Sequence, residues 1–283
     1  MNKLKAGCYG AKGSYSYTAM EQQFGNRERE EYYFSFFEEV IRSVAEKKID
    51  YGVVPIENSS TGGITDVYDL IRRYDCAVVA EQMVKIEHHL LGIPGAVLED
   101  IDTVYSHPQG FAQCVSFFKE HENWKRMPYF STSQSAEKVR EEGLKNQGAV
   151  ASAAAAKMYG LQVIKENISD NPYNCTRFFI IGAEQEVTDE SDKITLIISV
   201  PHEPGALYHV LGYFFYGGMN MTHLESRPME NHPFEYFFHI DVMGSLKNPA
   251  NRQTLEGLRS RCTYFKILGN YKAVKNDFFV TKK

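Results

Sequence analysis

The chain has 283 residues, 43% of them hydrophobic and 24% charged, and a formal charge of −5. That size and balance predict a globular protein with a large buried core and more than one domain. They exclude a polybasic nucleic-acid binder, and no window is apolar and long enough to predict a membrane span.

Residues 4–9 read as a first strand, the glycine-bearing stretch 10–13 as a turn, and 14–24 as a helix stopped by Gly25. Such a turn presents backbone N–H groups to an anion. Its spacing matches neither a dinucleotide fingerprint nor a phosphate loop. Phe37, Val40, Ile41 and Val44 keep the spacing of an amphipathic helix. Residues 51–56 form a second apolar strand, which ends in Glu57-Asn58-Ser59-Ser60-Thr61-Gly62-Gly63 ahead of a helix at 64–74. A carboxylate, an amide and three hydroxyls thus stand at the C-terminal end of a strand, the edge where open α/β sheets bind ligands. The same loop also suits a solvated helix cap.

Residues 77–93 are long and extended and are expected to cross between two lobes. His88 and His89 are neighbours on that segment, so they point to opposite faces and make a poor metal pair. A short strand at 103–106 leads to His107-Pro108, where proline suits the first turn of a helix continuing through Phe118. Gln109 and Gln113 are four apart and share a face of it. Residues 131–135 offer a choice of N-caps for the next helix, and strand 148–152, helix 153–158 and strand 161–168 follow.

Asn171-Pro172 marks a turn, and 178–181 is an apolar run ending at Gly182. Thr176 and Arg177 sit at the mouth of that strand. A hydroxyl beside a guanidinium suits a carboxylate-bearing substrate. An ordinary loop-to-strand junction with an exposed arginine fits the same residues. The repeated strand and helix define an α/β class with at least one mostly parallel sheet. Two crossings, near 77–93 and near Asp170, predict two lobes with a ligand cleft between them.

A charged linker at 184–192 precedes a second unit with the order βαββαβ, at 193–200, 205–216, 220–227, 234–243, 249–261 and 264–274. That order is the ferredoxin-like arrangement. Gly205 lets a ligand or second chain approach a helix start, and open edges with aromatic helices favour pairing with another subunit. The five cysteines, at 8, 76, 114, 175 and 262, are scattered and odd in number. With no apolar signal sequence at the start, they predict reduced thiols in a cytoplasmic protein without a disulfide framework or zinc site.

Several stretches, in order, resemble the prephenate dehydratase family with a C-terminal ACT domain. They are residues 10–16, Val54-Pro55-Ile56-Glu57-Asn58-Ser59, Ser106-His107-Pro108-Gln109 with Gln113, and Asn174-Cys175-Thr176-Arg177-Phe178. Pro204-Gly205-Ala206-Leu207 and Glu225-Ser226-Arg227-Pro228 extend the likeness to the second unit. Ala11-Lys12 and Tyr208 depart from the family's pattern. On this resemblance the chain is expected to begin at the dehydratase unit, without a fused chorismate mutase.

The resemblance implies a two-lobed, periplasmic-binding-protein-like catalytic unit at 1–184, its second lobe at about 78–168, and an ACT unit at 193–283. The implied reaction converts prephenate to phenylpyruvate, losing water and carbon dioxide, with no cofactor and no metal. Thr176 is expected beside the leaving oxygen, with Glu57 as an acid tuned by burial. Asn58, Ser106 and Gln113 are expected to orient the substrate. Arg177, with N–H groups near Ser14, Thr132 and Ser133, is expected to hold its carboxylates. L-phenylalanine is expected to inhibit by binding Gly205, Ala206 and Leu207 on one side and Glu225, Ser226, Arg227 and Pro228 of a second subunit on the other. That geometry implies a homodimer or a dimer of dimers. Arogenate dehydratase and a non-catalytic amino-acid sensor are the rival readings.

Overall fold

A computed structural model describes residues 3–25, 27–229 and 232–274. The chain opens with β1 (Leu4–Tyr9), α1 (Tyr15–Phe24), β2 (Arg29–Phe34), α2 (Phe37–Ala45), β3 (Tyr51–Asn58), β4 (Gly62–Gly63), α3 (Asp66–Arg73) and β5 (Ala77–Lys85). It continues through β6 (His89–Gly92), β7 (Thr103–Ser106), α4 (Pro108–Ala112), α5 (Val115–Lys119), β8 (Lys125–Pro128), α6 (Thr132–Glu142), β9 (Gln147–Ala151), α7 (Ala153–Tyr159), β10 (Gln162–Lys165) and β11 (Cys175–Gly182). The last part holds β12 (Lys193–Ser199), α8 (Ala206–Tyr216), β13 (Met221–Met229), β14 (His232–Met243), α9 (Pro249–Arg259) and β15 (Tyr264–Tyr271).

The first sheet has the order β2-β1-β3-β11-β5, with β4 hydrogen-bonded to β3. β1 pairs in parallel with β2 and β3, whereas β11 runs antiparallel to both its neighbours. The sheet is therefore mixed rather than mostly parallel. The reason is that β11 returns directly from the second lobe, without the crossover helix that parallel pairing needs. The second sheet, β10-β6-β9-β7-β8, starts at His89. The second lobe therefore begins later than residue 78, because β5 stays in the first sheet beside β11.

The expected single helix after Pro108 breaks at Gln113–Cys114. Asp170 causes the break by accepting the Val115 and Ser116 N–H groups at 2.8 and 2.9 Å, which starts a new helix there.

The third sheet, β13-β14-β12-β15, is antiparallel throughout. With α8 and α9 it has the ferredoxin-like order expected for the second unit. β12 is buried on both faces. Ile194, Leu196 and Ile198 pack under α8 and α9 with Val210, Phe214, Leu255 and Leu258. The alternate residue Ile197 joins Phe237, Leu268 and Tyr271 in a cluster with Val54, Ile56, Tyr68 and Phe179 of the first sheet and α3. Strand alternation thus places one face of the third sheet on its own helices and the other on the catalytic unit. At Gly269 the two units come so close that a Cβ would strike the Val78 carbonyl.

Candidate active site

A cleft of about 690 Å³ lies between the first and second lobes. Two connections cross beside it, from β5 to β6 and from β10 back to β11. Tyr9, Ser14, Asn58, Thr61, Thr176 and Phe178 line it from the first lobe, and His107, Gln109, Gln113, Phe130, Thr132 and Gln134 from the second. Among the described lining residues none is Asp, Glu, Lys or Arg.

Two long helices start at this cleft, one from each lobe. Ser14 caps α1 by accepting the Tyr17 N–H at 3.2 Å, and Ser131 caps α6 by accepting the Gln134 N–H at 3.1 Å. Ser14, Tyr15, Ser131 and Thr132 all line the opening. Helix starts carry free N–H groups and the positive end of the helix dipole, so the uncharged cleft is still suited to anions.

At the cleft floor, Thr176 on β11 stands opposite Asn58 on β3. Asn58 Nδ2 donates to Thr176 Oγ1 at 2.9 Å and to Asn174 Oδ1 at 2.8 Å. Its Oδ1 accepts from the Ser60 and Thr61 backbone N–H groups at 2.9 and 3.1 Å. Those two backbone donors fix which end of the amide is oxygen, so the amide has to donate to the threonine. The Thr176 oxygen is then occupied as an acceptor, and its own proton is free to point into the cleft.

His88, which the sequence offered only as half of a poor metal pair, lies in the crossing and lines the cleft. Its Nε2 is 2.7 Å from Gln113 Oε1 of the second lobe, and its Nδ1 is 3.1 Å from Tyr15 Oη of the first. Tyr15 donates to the Glu87 carbonyl at 2.7 Å. Burial holds His88 below its ordinary pKa, so it stands neutral between the lobes. Neither His88 nor Tyr15 was singled out for the site in the sequence. The extended crossing that places them was visible there.

The lobes also clasp each other through backbone. Ser133 Oγ and Tyr159 Oη both donate to the Lys12 carbonyl, the latter at 3.1 Å, and Ser152 Oγ donates to the Gly13 carbonyl at 3.1 Å. Ser133 is fully buried in this clasp and its side chain does not line the cleft, so only its backbone N–H at the start of α6 is left for the part expected of it. Ser106 is likewise fully buried and donates to the Val150 carbonyl at 3.0 Å. It lies beneath Gly110, where a Cβ would come within 2.5 Å of its oxygen. Its reach is to the strand, away from the substrate space.

Arg177 and Glu57 also depart from expectation. Each follows or precedes a cleft residue on its strand, so each points to the opposite face. Arg177 Nη2 lies 3.1 Å from Glu57 Oε2, and Arg177 Nη1 lies 3.3 Å from Glu81 and close to Asp241 of the third sheet. The Glu57 carboxyl is held below its ordinary value, first by hydrogen bonding to His223 and then by the Arg177 charge, against the opposing effect of burial. It is therefore not the burial-raised acid expected from the sequence.

The same alternation divides the Glu225–Pro228 stretch. Arg227 turns to α3, with Nε 2.6 Å from Asp69 Oδ2 and Nη2 2.5 Å from Asp66 Oδ1. Glu225 turns the same way and crowds Gly63. These two side chains are spent on the catalytic unit of the same chain and do not stand free for an effector. Ser226 and Pro228 are exposed on the outer face. Gly205 caps the start of α8, with Ala206 and Leu207 in its first turn.

A family model described as prephenate dehydratase matches residues 6–186. The bifunctional chorismate mutase/prephenate dehydratase of Stutzerimonas stutzeri is 34% identical over 273 residues, covering 96% of this chain and 74% of that protein. A prephenate dehydratase from Arthrobacter aurescens, solved in complex with L-Phe, superposes with a TM-score of 0.86 at 29% identity and covers 95% of this chain and 90% of that one. A structure described as GqqA, a novel type of quorum-quenching acylase, superposes with a TM-score of 0.86 at 32% identity, covering 95% of this chain and 98% of that one.

Proposed function

The chain belongs to the prephenate dehydratase family, and from that premise we propose that its cleft converts prephenate to phenylpyruvate. The observation that carries this is the pairing of Asn58 with Thr176. A hydroxyl meant to attack needs a base to take its proton. Here the neighbour is an amide that donates to it, so the hydroxyl is set to donate onward. Cys175 beside it is buried, and burial raises its thiol above the ordinary value. The floor is therefore poorly equipped for acyl transfer and well equipped to meet a developing negative oxygen.

In the proposed reaction the bond from the ring to its carboxylate breaks and carbon dioxide leaves. The electron pair moves into the ring, which becomes aromatic as the ring hydroxyl departs. That oxygen takes up one proton and leaves as water. A dianion and a proton thus give phenylpyruvate, carbon dioxide and water. Thr176 donates a hydrogen bond to the departing oxygen as charge grows on it. The α1 and α6 N-termini hold the two carboxylates, Phe130 and Phe178 flank the ring, and Gln113, steadied by His88, orients it. No metal or cofactor enters these steps.

The test is phenylpyruvate formation from prephenate, with arogenate and an acylase substrate assayed beside it. Thr176→Ala is expected to lose roughly 10²- to 10³-fold in turnover, and Thr176→Ser to keep more. Turnover of prephenate no faster than of the other two substrates sinks the assignment. The C-terminal unit is proposed as the ACT unit that makes the enzyme sensitive to L-phenylalanine at the start of α8. The exposed aromatic groups Tyr208, Phe215 and Tyr216 on that helix support a homodimer or dimer of dimers. Light scattering of the purified chain reads that state directly.

A further inference from the structure

Thr176 and Arg177 share a peptide unit on β11 but face opposite sides of the sheet. Thr176 looks into the cleft, whereas Arg177 is 7% exposed and lies against the third sheet. Its guanidinium meets Asp241 of β14, Glu81 of β5 at 3.3 Å and Glu57 of β3 at 3.1 Å. Lys193, at the start of β12, donates to the two Glu81 oxygens at 3.0 and 2.8 Å. Thr195 fixes the remaining Asp241 oxygen at 2.7 Å. Two cations and three carboxylates, drawn from both units, thus form one network directly behind the proposed catalytic hydroxyl.

The strand is built to respond at this point. The pairing of β11 with β3 shifts register between Arg177 and Phe178, one residue after Thr176. Such an irregularity frees the strand to re-aim a side chain beside it. A charge that grips Arg177 from outside the sheet therefore bears on the direction of the Thr176 hydroxyl. We infer that Arg177 is a positioning residue for Thr176 and that Asp241 holds it there, so that the C-terminal sheet sets the aim of the hydroxyl. This rests on the dehydratase reading given above.

Asp241→Asn is a clean probe. The variant keeps the oxygen that accepts from Thr195, and it turns an amide donor toward Arg177 where a carboxylate stood. Removing one carboxylate also leaves two cations facing two anions, so no charge is stranded. Thr195→Val, which releases Asp241 without touching any charge, is the gentler second variant. Ile197→Ala is the control, because Ile197 is fully buried in the same interface but outside the ion network.

Steady-state turnover of prephenate is measured on the full chain. A small misplacement of a reacting group costs up to about 10²-fold in rate. Asp241→Asn is expected to lower kcat by about tenfold or more with KM within about twofold, and Thr195→Val to lower kcat less. Ile197→Ala is expected to lower Tm while keeping kcat. If Asp241→Asn and Thr195→Val instead match Ile197→Ala, with lower Tm and wild-type kcat, the network is only structural and the inference is overturned. A wild-type chain silent on prephenate sinks the dehydratase reading and this inference with it. An active wild type with variants at its level sinks this inference alone.

Discussion

Asn58 and Thr176 are 118 residues apart in the chain, yet the Asn58 amide sits 2.9 Å from the Thr176 hydroxyl. Antiparallel pairing of β3 with β11 places them opposite each other and on one face. The loop after Asn58 then folds back so that its N–H groups grip the amide oxygen. The amide cannot rotate, and the threonine proton has one useful direction left.

Asn58→Asp tests that reading with almost no change of shape. A carboxylate keeps the bonds from Ser60 and Thr61 but cannot donate to Thr176, so it captures the threonine proton instead. Turnover is expected to fall by roughly 10²-fold, and the thermal midpoint to fall as well, because the buried carboxylate now faces the Asn174 side-chain oxygen to which the amide donated. Near-normal kcat in the Asn58→Asp variant would show that the direction of this bond does not matter.

The clasp on Lys12 and Gly13 gives a second outcome. Ser133→Ala and Tyr159→Phe each remove a hydrogen bond worth about 0.5–1.5 kcal/mol between the lobes. The closed form becomes less populated, so KM is expected to rise about two- to tenfold with kcat little changed. A matching loss of kcat with KM constant points to a role inside the chemistry.

His239 carries the pH dependence. It is buried, packs against Tyr68 with ring centroids 4.2 Å apart, and neither ring nitrogen has a hydrogen-bond partner among the described residues. Burial, with the nearby His223, Arg227 and Arg72 and against the pull of Asp241, draws its pKa down to about 3. The unfolded chain takes up this proton near pH 6.5. Between about 6.5 and 3 the unfolded state therefore binds more protons, and stability falls as pH falls, by about 1.4 kcal/mol per unit for one such group. His239→Phe keeps a ring against Tyr68 and removes the proton. Thermal melts should show it gaining more over wild type at pH 5 than at pH 8, and an equal gain at both would discard the explanation.

The uncharged lining predicts weak salt dependence. Lysine or arginine contacts to a dianion are screened by salt, with a Debye length of about 10 Å at 0.1 M and 3 Å at 1 M. Helix starts inside a closed cleft are screened much less. Raising sodium chloride from about 0.05 to 0.5 M should change the KM for prephenate by less than about threefold. A tenfold rise would point to a cation at the substrate.

Much of this arrangement is legible in the sequence. A helix start at residue 14 and a choice of caps at 131–135 are read from the sequence, and the structure makes Ser14 and Ser131 the caps, both at the cleft. Strand Thr103–Ser106 and the order of the last six elements are likewise visible in apolar runs and turn residues. β2 escapes because its charged and tyrosine residues lie at the sheet edge, where no apolar run is required. The side chosen by Arg177 was within reach. A period of two forbids Thr176 and Arg177 from sharing a face, and choosing Thr176 for the cleft turns Arg177 away. What no local pattern supplies is the partner waiting there, since Asp241 arrives from a strand of the second unit.

The stretch 184–192 is a boundary in composition but not in packing. Ile197, Phe237, Leu268 and Tyr271 complete a hydrophobic cluster that starts from β3 and α3, on the other side of that stretch. A cut there removes one wall of a core and strips Glu81, 3% exposed, of its Lys193 partner. The two units are therefore expected to melt as one cooperative body. For recombination between relatives, the portable module is the C-terminal unit together with α3, β5 and the Arg177 end of β11. A crossover in the linker alone would join surfaces shaped for different partners.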